Sequence, residues 1–279
     1  EPEPMTPALR SPEDIAAVNA ALRAAARAGR VERALALLEE GADPLSPPPA
    51  GERDQRGLAQ LAVVLPDLRL LRELIQRGLP LGAEPGRLTA LLAATRDSWH
   101  GRPEAVMTLL ANGADPRARD AEGNTPLHHA ARSTDPGVAA LLLDAAAEID
   151  AINDARQSPL AMACLVGNWR LAKFLCERGA QAHPAGGDPV LLAAAGTEED
   201  DPVGVQYLLR HKAAVNATGE GGRSALHQAA SAGHVAIVQT LLDAGADVRK
   251  RDENSLDAWL LAAPAGQTGV MEALLEAAR

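Results

Sequence analysis

The side chains in this sequence that are best suited to bind a metal are its seven histidines and two cysteines. Zinc sites use short fixed spacings such as Cys-x-x-Cys or His-x-x-x-His, and neither spacing occurs. The acidic run 198–201, Glu-Glu-Asp-Asp, lacks the alternating ligands of a calcium loop, and Asp201 precedes a proline as a helix cap would. We therefore predict no metal site and a solvated loop at 198–201.

The candidate nucleophiles are serines and a cysteine, and none stands in a catalytic motif. Ser133, Ser158, Ser224 and Cys164 lie outside any Gly-x-Ser-x-Gly, glycine-rich cofactor loop or zinc-binding helix motif. The glycine-rich segment 219–223 lacks the Lys-Ser/Thr pair and the preceding buried strand of a phosphate-binding loop. The sequence predicts that this chain is not an enzyme and binds no cofactor.

Charge and composition disfavour two further classes of partner. The 27 Lys and Arg against 37 Asp and Glu give a net charge of −10, without the basic cluster that nucleic acid or an anionic membrane requires. No run of 18 apolar residues occurs, so we expect no direct membrane contact. Three Trp, one Tyr and one Phe leave Ala and Leu to form the core, which favours an all-α fold.

The two cysteines, Cys164 and Cys176, are expected near opposite ends of a helical hairpin, roughly 10 Å apart and too far to bridge. Buried free thiols fit a cytoplasmic location; the alternatives are the periplasm or a membrane-anchored protein. The preference for Arg over Lys suggests a bacterial source. The chain starts without Met and ends on exposed apolar residues. We expect a fragment of a longer protein that is monomeric, or that self-associates end to end.

Two signatures recur along the chain. Thr-Pro-Leu-His at 125–128, Ser-Pro-Leu at 158–160 and Ser-Ala-Leu-His at 224–227 each combine a helix-capping hydroxyl with an apolar first turn. Each is followed by a Leu-Leu pair or a variant of it and then by a Gly-Ala-Asp-like step. These steps, at successive spacings of 37, 35, 33, 33, 33 and 33 residues, fall at Gly41, Gly78, Gly113, Ala146, Gly179, Lys212 and Gly245.

Together the two signatures resemble the ankyrin repeat family over about residues 14–279. The resemblance implies a solenoid of about eight helix-turn-helix repeats with short β-turn fingers, in which neighbours share one core. It also implies that His128 and His227 bond the backbone of adjoining turns. A flexible segment, 1–13, precedes the repeats, which we place near 14–50, 51–84, 85–118, 119–151, 152–183, 184–217, 218–250 and 251–279.

In this family a partner protein binds the concave face formed by finger tips, first helices and helix–helix turns. Trp and Arg are enriched in binding hot spots, so Trp99 in the inserted loop 97–100 is the first candidate, unless that loop folds back and buries it. Trp259 is expected in the core, and His129 and Trp169 at the surface. The predicted partner-binding residues are Trp99, His100, Glu122, Asn124, Arg132, Ser133, Asp154, Arg156, Gln157, Leu165, Val166, Trp169, Glu220, Arg223 and Ser231.

The leading hypothesis is therefore a protein-protein interaction module for a partner with basic and apolar segments. One alternative is a substrate-positioning domain of a larger enzyme or secreted effector. A third possibility is a small-ligand or ion receptor that uses the inserted loops at 97–100 and 197–200. Those loops belong to repeats three steps apart, which makes one compact pocket hard to build.

Overall fold

The computed structural model describes residues 11–82, 88–97, 102–133 and 135–279. Over these ranges the chain forms sixteen α-helices in eight consecutive pairs. Their bounds are α1 Pro12–Arg27, α2 Val31–Glu39, α3 Leu58–Val63, α4 Arg69–Gln76, α5 Ala90–Arg96, α6 Pro103–Ala111, α7 Pro126–Ala130, α8 Gly137–Asp144, α9 Pro159–Leu165, α10 Trp169–Glu177, α11 Val190–Ala195, α12 Val203–Arg210, α13 Ala225–Ala232, α14 Val235–Asp243, α15 Ala258–Ala262 and α16 Thr268–Ala277. Each pair is one repeat, and the all-α prediction is confirmed.

The first helix of a repeat begins where the sequence predicts a cap. The hydroxyls of Thr125, Ser158 and Ser224 accept hydrogen bonds from the backbone N–H three residues later, at 3.5, 3.2 and 3.4 Å. Pro126 and Pro159 occupy the first helical position, where no N–H partner is lost. The short polar run before each apolar segment therefore fixes the start of α7, α9 and α13.

The Asp-Pro pairs at 135–136 and 201–202 predict second helices that begin at the proline, and α8 and α12 begin one residue later. Both helices start after the proline, at Gly137 and Val203. The aspartates still satisfy the free N–H groups, since Asp135 accepts from Gly137 at 2.9 Å and Asp201 from Val203 at 3.0 Å. The capping role is confirmed, with this one-residue shift in the helix boundary.

In the first seven repeats, the second helix is followed by a residue with left-handed backbone conformation. These seven residues are the ones whose spacing defines the sequence repeat. Five of them are glycine, which adopts positive φ without a Cβ clash. Ala146 and Lys212 adopt φ of 68° and 69° although they carry side chains. The backbone thus keeps its geometry where the glycine is missing. The seven are Gly41, Gly78, Gly113, Ala146, Gly179, Lys212 and Gly245.

The helices stack in layers that share one core. Each first helix from α1 to α13 contacts the first helix of the next repeat. In the outer layer, α10 contacts α12, α12 contacts α14 and α14 contacts α16. The alanine pairs 130–131, 194–195 and 229–230 are at most 2% exposed. Their small side chains allow close approach of neighbouring helices, and the leucines fill the space between layers. No single repeat can bury its apolar face alone.

Five-residue turns project from the repeats as fingers. The N–H groups of Asp120, Asn153 and Asp252 donate to carbonyls four residues later at 2.9–3.0 Å, and Gly219 does the same to Arg223. In the turns that begin at Asp120, Asn153 and Asp252, the side-chain Oδ1 of that residue also accepts two backbone N–H groups. These side chains hold the finger in a closed turn. Asp and Asn are common in turns because their side chains accept hydrogen bonds from nearby backbone N–H groups.

Candidate functional site

The two repeat histidines have a structural role, as the resemblance implies. His128 accepts a hydrogen bond from the Thr125 N–H at 3.0 Å through Nδ1, and its Nε2 lies 2.9 Å from the carbonyl oxygen of Gln157 in the next finger. His227 makes the equivalent contacts with Ser224 and Leu256. Each imidazole fastens its own helix to the next finger, and we call this contact the clasp.

The clasp also exists in two repeats where sequence reasoning missed it. Arg23, only 8% exposed, donates to the backbone carbonyls of Arg56 and Asp54. Gln60 donates to the carbonyl of Leu88 at 2.7 Å. Both residues stand 18 positions before the left-handed glycine of their repeat, as His227 does, so the register of the repeat was the signal that could have found them.

Repeat five lacks the clasp because Ala161 occupies the histidine position. A groove of about 220 Å³ opens there across the fingers and the first helices α9, α11 and α13. The predicted residues Arg156, Gln157 and Leu165 meet in this groove. The groove also uses residues that the sequence reasoning did not select: Asp188, Pro189, Leu192, Ala193, Gly196 and Gln228.

An ion pair crosses one side of the groove. The Arg156 Nε donates to Oδ1 of Asp188 at 2.8 Å, and the same oxygen accepts the N–H of Glu220 at 3.1 Å. The backbone N–H of Asp188 in turn donates to the Arg156 carbonyl at 2.9 Å. Asp188 therefore links the fingers of three successive repeats. Its carboxylate raises the pKa of Arg156, and the nearby carboxylate of Glu220 adds to this effect.

Arg156 holds this position with a left-handed backbone, at φ 62°. The equivalent residues of the fourth and seventh repeats are Gly123 and Gly222, with φ of 75° and 73°. A residue with a Cβ is strained there, and such strain persists only where the surroundings enforce it. Ser255, the equivalent residue of the eighth repeat, also has φ 62°, so the backbone is shared and the guanidinium held by Asp188 is what distinguishes this finger.

The other predicted residues divide between exposed positions and structural contacts. Glu122, Asp154 and Glu220 are exposed at finger tips, and Arg132 and Ser231 are exposed at the ends of α7 and α13. Asn124 accepts from Asn153 at 2.8 Å, and Arg223 faces Asp252 at 3.5 Å, so both side chains join neighbouring fingers. Val166 is half-buried. Trp99 and His100 lie outside the described residues.

Four expectations about exposure need correction. Ser133 is 4% exposed, and its hydroxyl donates to the backbone carbonyl of Asp135. His129 bonds Asp120 at 2.7 Å, and burial lowers its pKa. Trp169 is half-buried and packs on the next repeat. Trp259 is half-buried against the core instead of fully enclosed.

The indole ring of Trp169 packs on the next repeat at Gly204, which has no side chain. A Cβ at Gly204 would come within 2.1 Å of the indole ring, so only glycine accepts this contact. The indole N–H donates to Asp201 at 3.3 Å. Because both interactions lie between α10 and α12, the tryptophan joins the second-helix layers of two repeats and leaves the groove to other residues.

Two carboxylates of the acidic insertion at 198–201 accept backbone N–H groups at the starts of helices. Asp200 accepts the N–H groups of Ala236 and Ile237 at 2.8 and 3.0 Å, and Asp201 caps α12. Across the described ranges, no group of three or more His, Cys, Asp and Glu side chains is arranged to hold a metal ion. Among the helices of those ranges, none combines the length and apolarity needed to cross a membrane.

The chain belongs to the ankyrin repeat family. The family model described as "Ankyrin repeats (3 copies)" matches residues 60–153, 92–185, 160–252 and 191–278. Among solved structures, the ankyrin repeat domain of Bcl-3, titled a unique member of the IkappaB protein family, aligns with a TM-score of 0.60 and 28% identity. That alignment covers 80% of this chain and 100% of that one.

Curated relatives share the repeats within longer proteins. The B-cell lymphoma 3 protein homolog of Mus musculus is 34% identical over 153 residues, which cover 52% of this chain and 34% of that protein. The E3 ubiquitin-protein ligase KEG of Arabidopsis thaliana is 31% identical over 169 residues, which cover 56% of this chain and 10% of that protein. The chain thus spans about a third of the first of these eukaryotic relatives and a tenth of the second, and a bacterial source stays a prediction.

Proposed function

We propose that this chain is a protein-protein interaction domain, and that its partner binds the finger-side face. We define this face as the fingers of repeats four to seven together with the exposed sides of α7, α9, α11 and α13. The observation that carries the proposal is the groove beside Ala161, where three residues selected from the sequence, Arg156, Gln157 and Leu165, come together.

The stiffness of the face supports binding. Fingers are joined by backbone bonds from Asp154 to Glu122, Asp188 to Arg156 and Glu253 to Gly221, at 2.8–3.0 Å. A surface fixed before the partner arrives loses little conformational entropy on binding, so more of the contact energy appears as affinity. Exposed Arg132 at the end of α7 supplies a residue type enriched in hot spots.

The compartment and assembly state belong to the same proposal. We place the domain in the cytoplasm, because Cys164 and Cys176 are free and packed into the fold. We expect it to be a monomer. Burial raises the pKa of Cys176 to about 11, which keeps its thiol protonated and unreactive at neutral pH. A dimer mass in multi-angle light scattering at micromolar concentration would contradict the monomer.

A matched pair of charge reversals tests the proposed face. Arg132→Glu alters the finger-side face, and Arg170→Glu makes the same change on the exposed outer helix α10. Proteins captured by the native domain are quantified by mass spectrometry against both variants, after circular dichroism verifies equal melting. We expect partners to be lost by Arg132→Glu and kept by Arg170→Glu. The reverse pattern would place binding on the outer helices.

The match to an E3 ubiquitin-protein ligase supports a second candidate, a domain that positions substrate for a catalytic domain elsewhere in the protein. This candidate uses the same face, and it requires a further domain outside residues 1–279. Sequencing the complete open reading frame tests it. A reading frame that encodes repeats alone contradicts it.

A further inference from the structure

We propose that the groove beside Ala161 receives an arginine or lysine side chain from an extended segment of the partner. This inference rests on the proposed function, since it specifies which chemistry the finger-side face recognises. It is carried by three independent features of the groove: its empty volume, its unbalanced carboxylates and its apolar wall.

A small side chain occupies the clasp position at this junction. In the repeats that carry His128 and His227, the imidazole fills the space between the first helix and the next finger. Ala161, which is 3% exposed, ends at its Cβ and is one of the residues that line the open groove of about 220 Å³. The helix start is otherwise the same, because Ser158 caps α9 as Ser224 caps α13.

Carboxylates outnumber cations around this space. Asp188 accepts both Arg156 and the Glu220 N–H through Oδ1, so Oδ2 is available to another donor. Asp154 and Glu220 are exposed at the adjoining finger tips, and the nearby cations Arg156 and Arg223 already face Asp188 and Asp252. A cation from a partner would therefore meet net negative charge, and hydrogen bonds to a charged carboxylate are the strong ones.

The wall of the groove suits the aliphatic stem of a long cationic side chain. Leu165 and Leu192 line it, with the amides of Gln157 and Gln228 beside them. Gly219 keeps the next finger close, since a Cβ there would stand 2.8 Å from the Asp188 Cγ and 2.9 Å from the Leu192 Cδ2. Arg and Lys bury their stems on apolar surface while the charged end stays at polar groups.

Peptide selection tests the inference with a defined probe. Random dodecapeptides displayed on phage are selected on the immobilised full chain, and the dominant peptide is synthesised with a fluorescein label. We expect a shared Arg or Lys beside an apolar residue. Replacing that residue by neutral citrulline or norleucine should raise Kd, measured by fluorescence polarisation, about tenfold or more, as the loss of a charged pair does.

Two variants locate the binding in the groove. Asp188→Asn keeps the shape and the Oδ1 acceptor but removes the charge, and we expect Kd to rise about tenfold. Asp144→Asn is its control, because it also removes a carboxylate paired with an arginine, Arg178, but in the second-helix layer; Kd should stay within about twofold. Ala161→Leu fills the groove and should abolish binding.

Each failure points to a distinct cause. Peptides without a shared basic residue, selection of none, or a Kd unchanged by Asp188→Asn overturn the inference. If those peptides still lose affinity for Arg132→Glu, the finger-side face stands and only the groove is rejected. If Arg170→Glu alone weakens them, the proposed function fails as well.

Discussion

The junction between repeats four and five and the junction between repeats five and six are built from the same parts and end differently. At the first, His128 reaches from α7 to the carbonyl of Gln157 and closes the space below the finger. At the second, Ala161 stands in the same position of α9, and a groove of about 220 Å³ remains. Both helices begin with a hydroxyl cap followed by Pro and Leu.

The difference shows how one position can serve stability in one repeat and recognition in another. A clasp satisfies a buried carbonyl and ties two repeats together, whereas an open junction exposes backbone and side-chain groups to a partner. In a solenoid each junction contributes separately, so one of them can be left open at a local cost. The following predictions test that contrast, from the largest expected effect to the smallest.

Removing the clasp should destabilise the domain most. His128→Ala leaves the Thr125 N–H and the Gln157 carbonyl without their partner and opens a cavity around a fully buried position. We expect a loss of about 2 to 4 kcal/mol in the free energy of unfolding. Urea denaturation measures it, with exposed His211→Ala as control. A loss below about 0.5 kcal/mol would mean that the clasp contributes no stability.

Acid should weaken the clasp of repeat four. Burial lowers the pKa of His128 to about 4, from 6.5. Because the unfolded chain binds this proton more readily, the stability is complete above pH 6.5 and is lost as the pH falls towards 4. We expect His128 to account for about 2 kcal/mol between pH 7 and pH 5. The difference between native and His128→Gln proteins across that range isolates this contribution; identical slopes would refute it.

Restoring a histidine should convert the open junction into a closed one. In Ala161→His, the new imidazole can meet the Ser158 hydroxyl and the carbonyl of Gly187, the residue equivalent to Gln157. We expect about 1 kcal/mol of added stability, together with loss of the groove. Thermal melting and a crystal structure of the variant check both results. A destabilised variant with an open groove would show that repeat six cannot accept the clasp.

Glycine at the strained turns should give a small gain. Ala146→Gly and Lys212→Gly relieve a left-handed backbone that carries a Cβ, which offsets the greater freedom of glycine in the unfolded chain. We expect each to add about 0.5 kcal/mol, and the reciprocal Gly179→Ala to remove about 1 kcal/mol. Urea midpoints of the three variants provide the measurement. Equal shifts of the same sign in all three would contradict it.

Three residues that line the candidate groove could be predicted from the sequence, but Asp188, which links its fingers, could not. Arg156, Gln157 and Leu165 were predicted from the position of the finger and the end of the first helix. Asp188 was not selected, because its role depends on contacts with residues 32 positions away on either side. Ser133 and Trp169 were misjudged, since burial by a neighbouring repeat is invisible in the local pattern.

The sequence alone determined the repeat, its eight helix pairs and the location of its caps and turns, because each rests on contacts within about four residues. Even the strained φ at Ala146 and Lys212 follows from the period. The resemblance also predicted the contacts of His128 and His227 with adjoining turns. Only the tertiary structure decided that Arg23 and Gln60 close their junctions and that the junction at Ala161 stays open. That outcome depends on whether a side chain such as His128, Arg23 or Ala161 reaches a carbonyl about 30 residues onward, a distance that only stacking of the repeats defines.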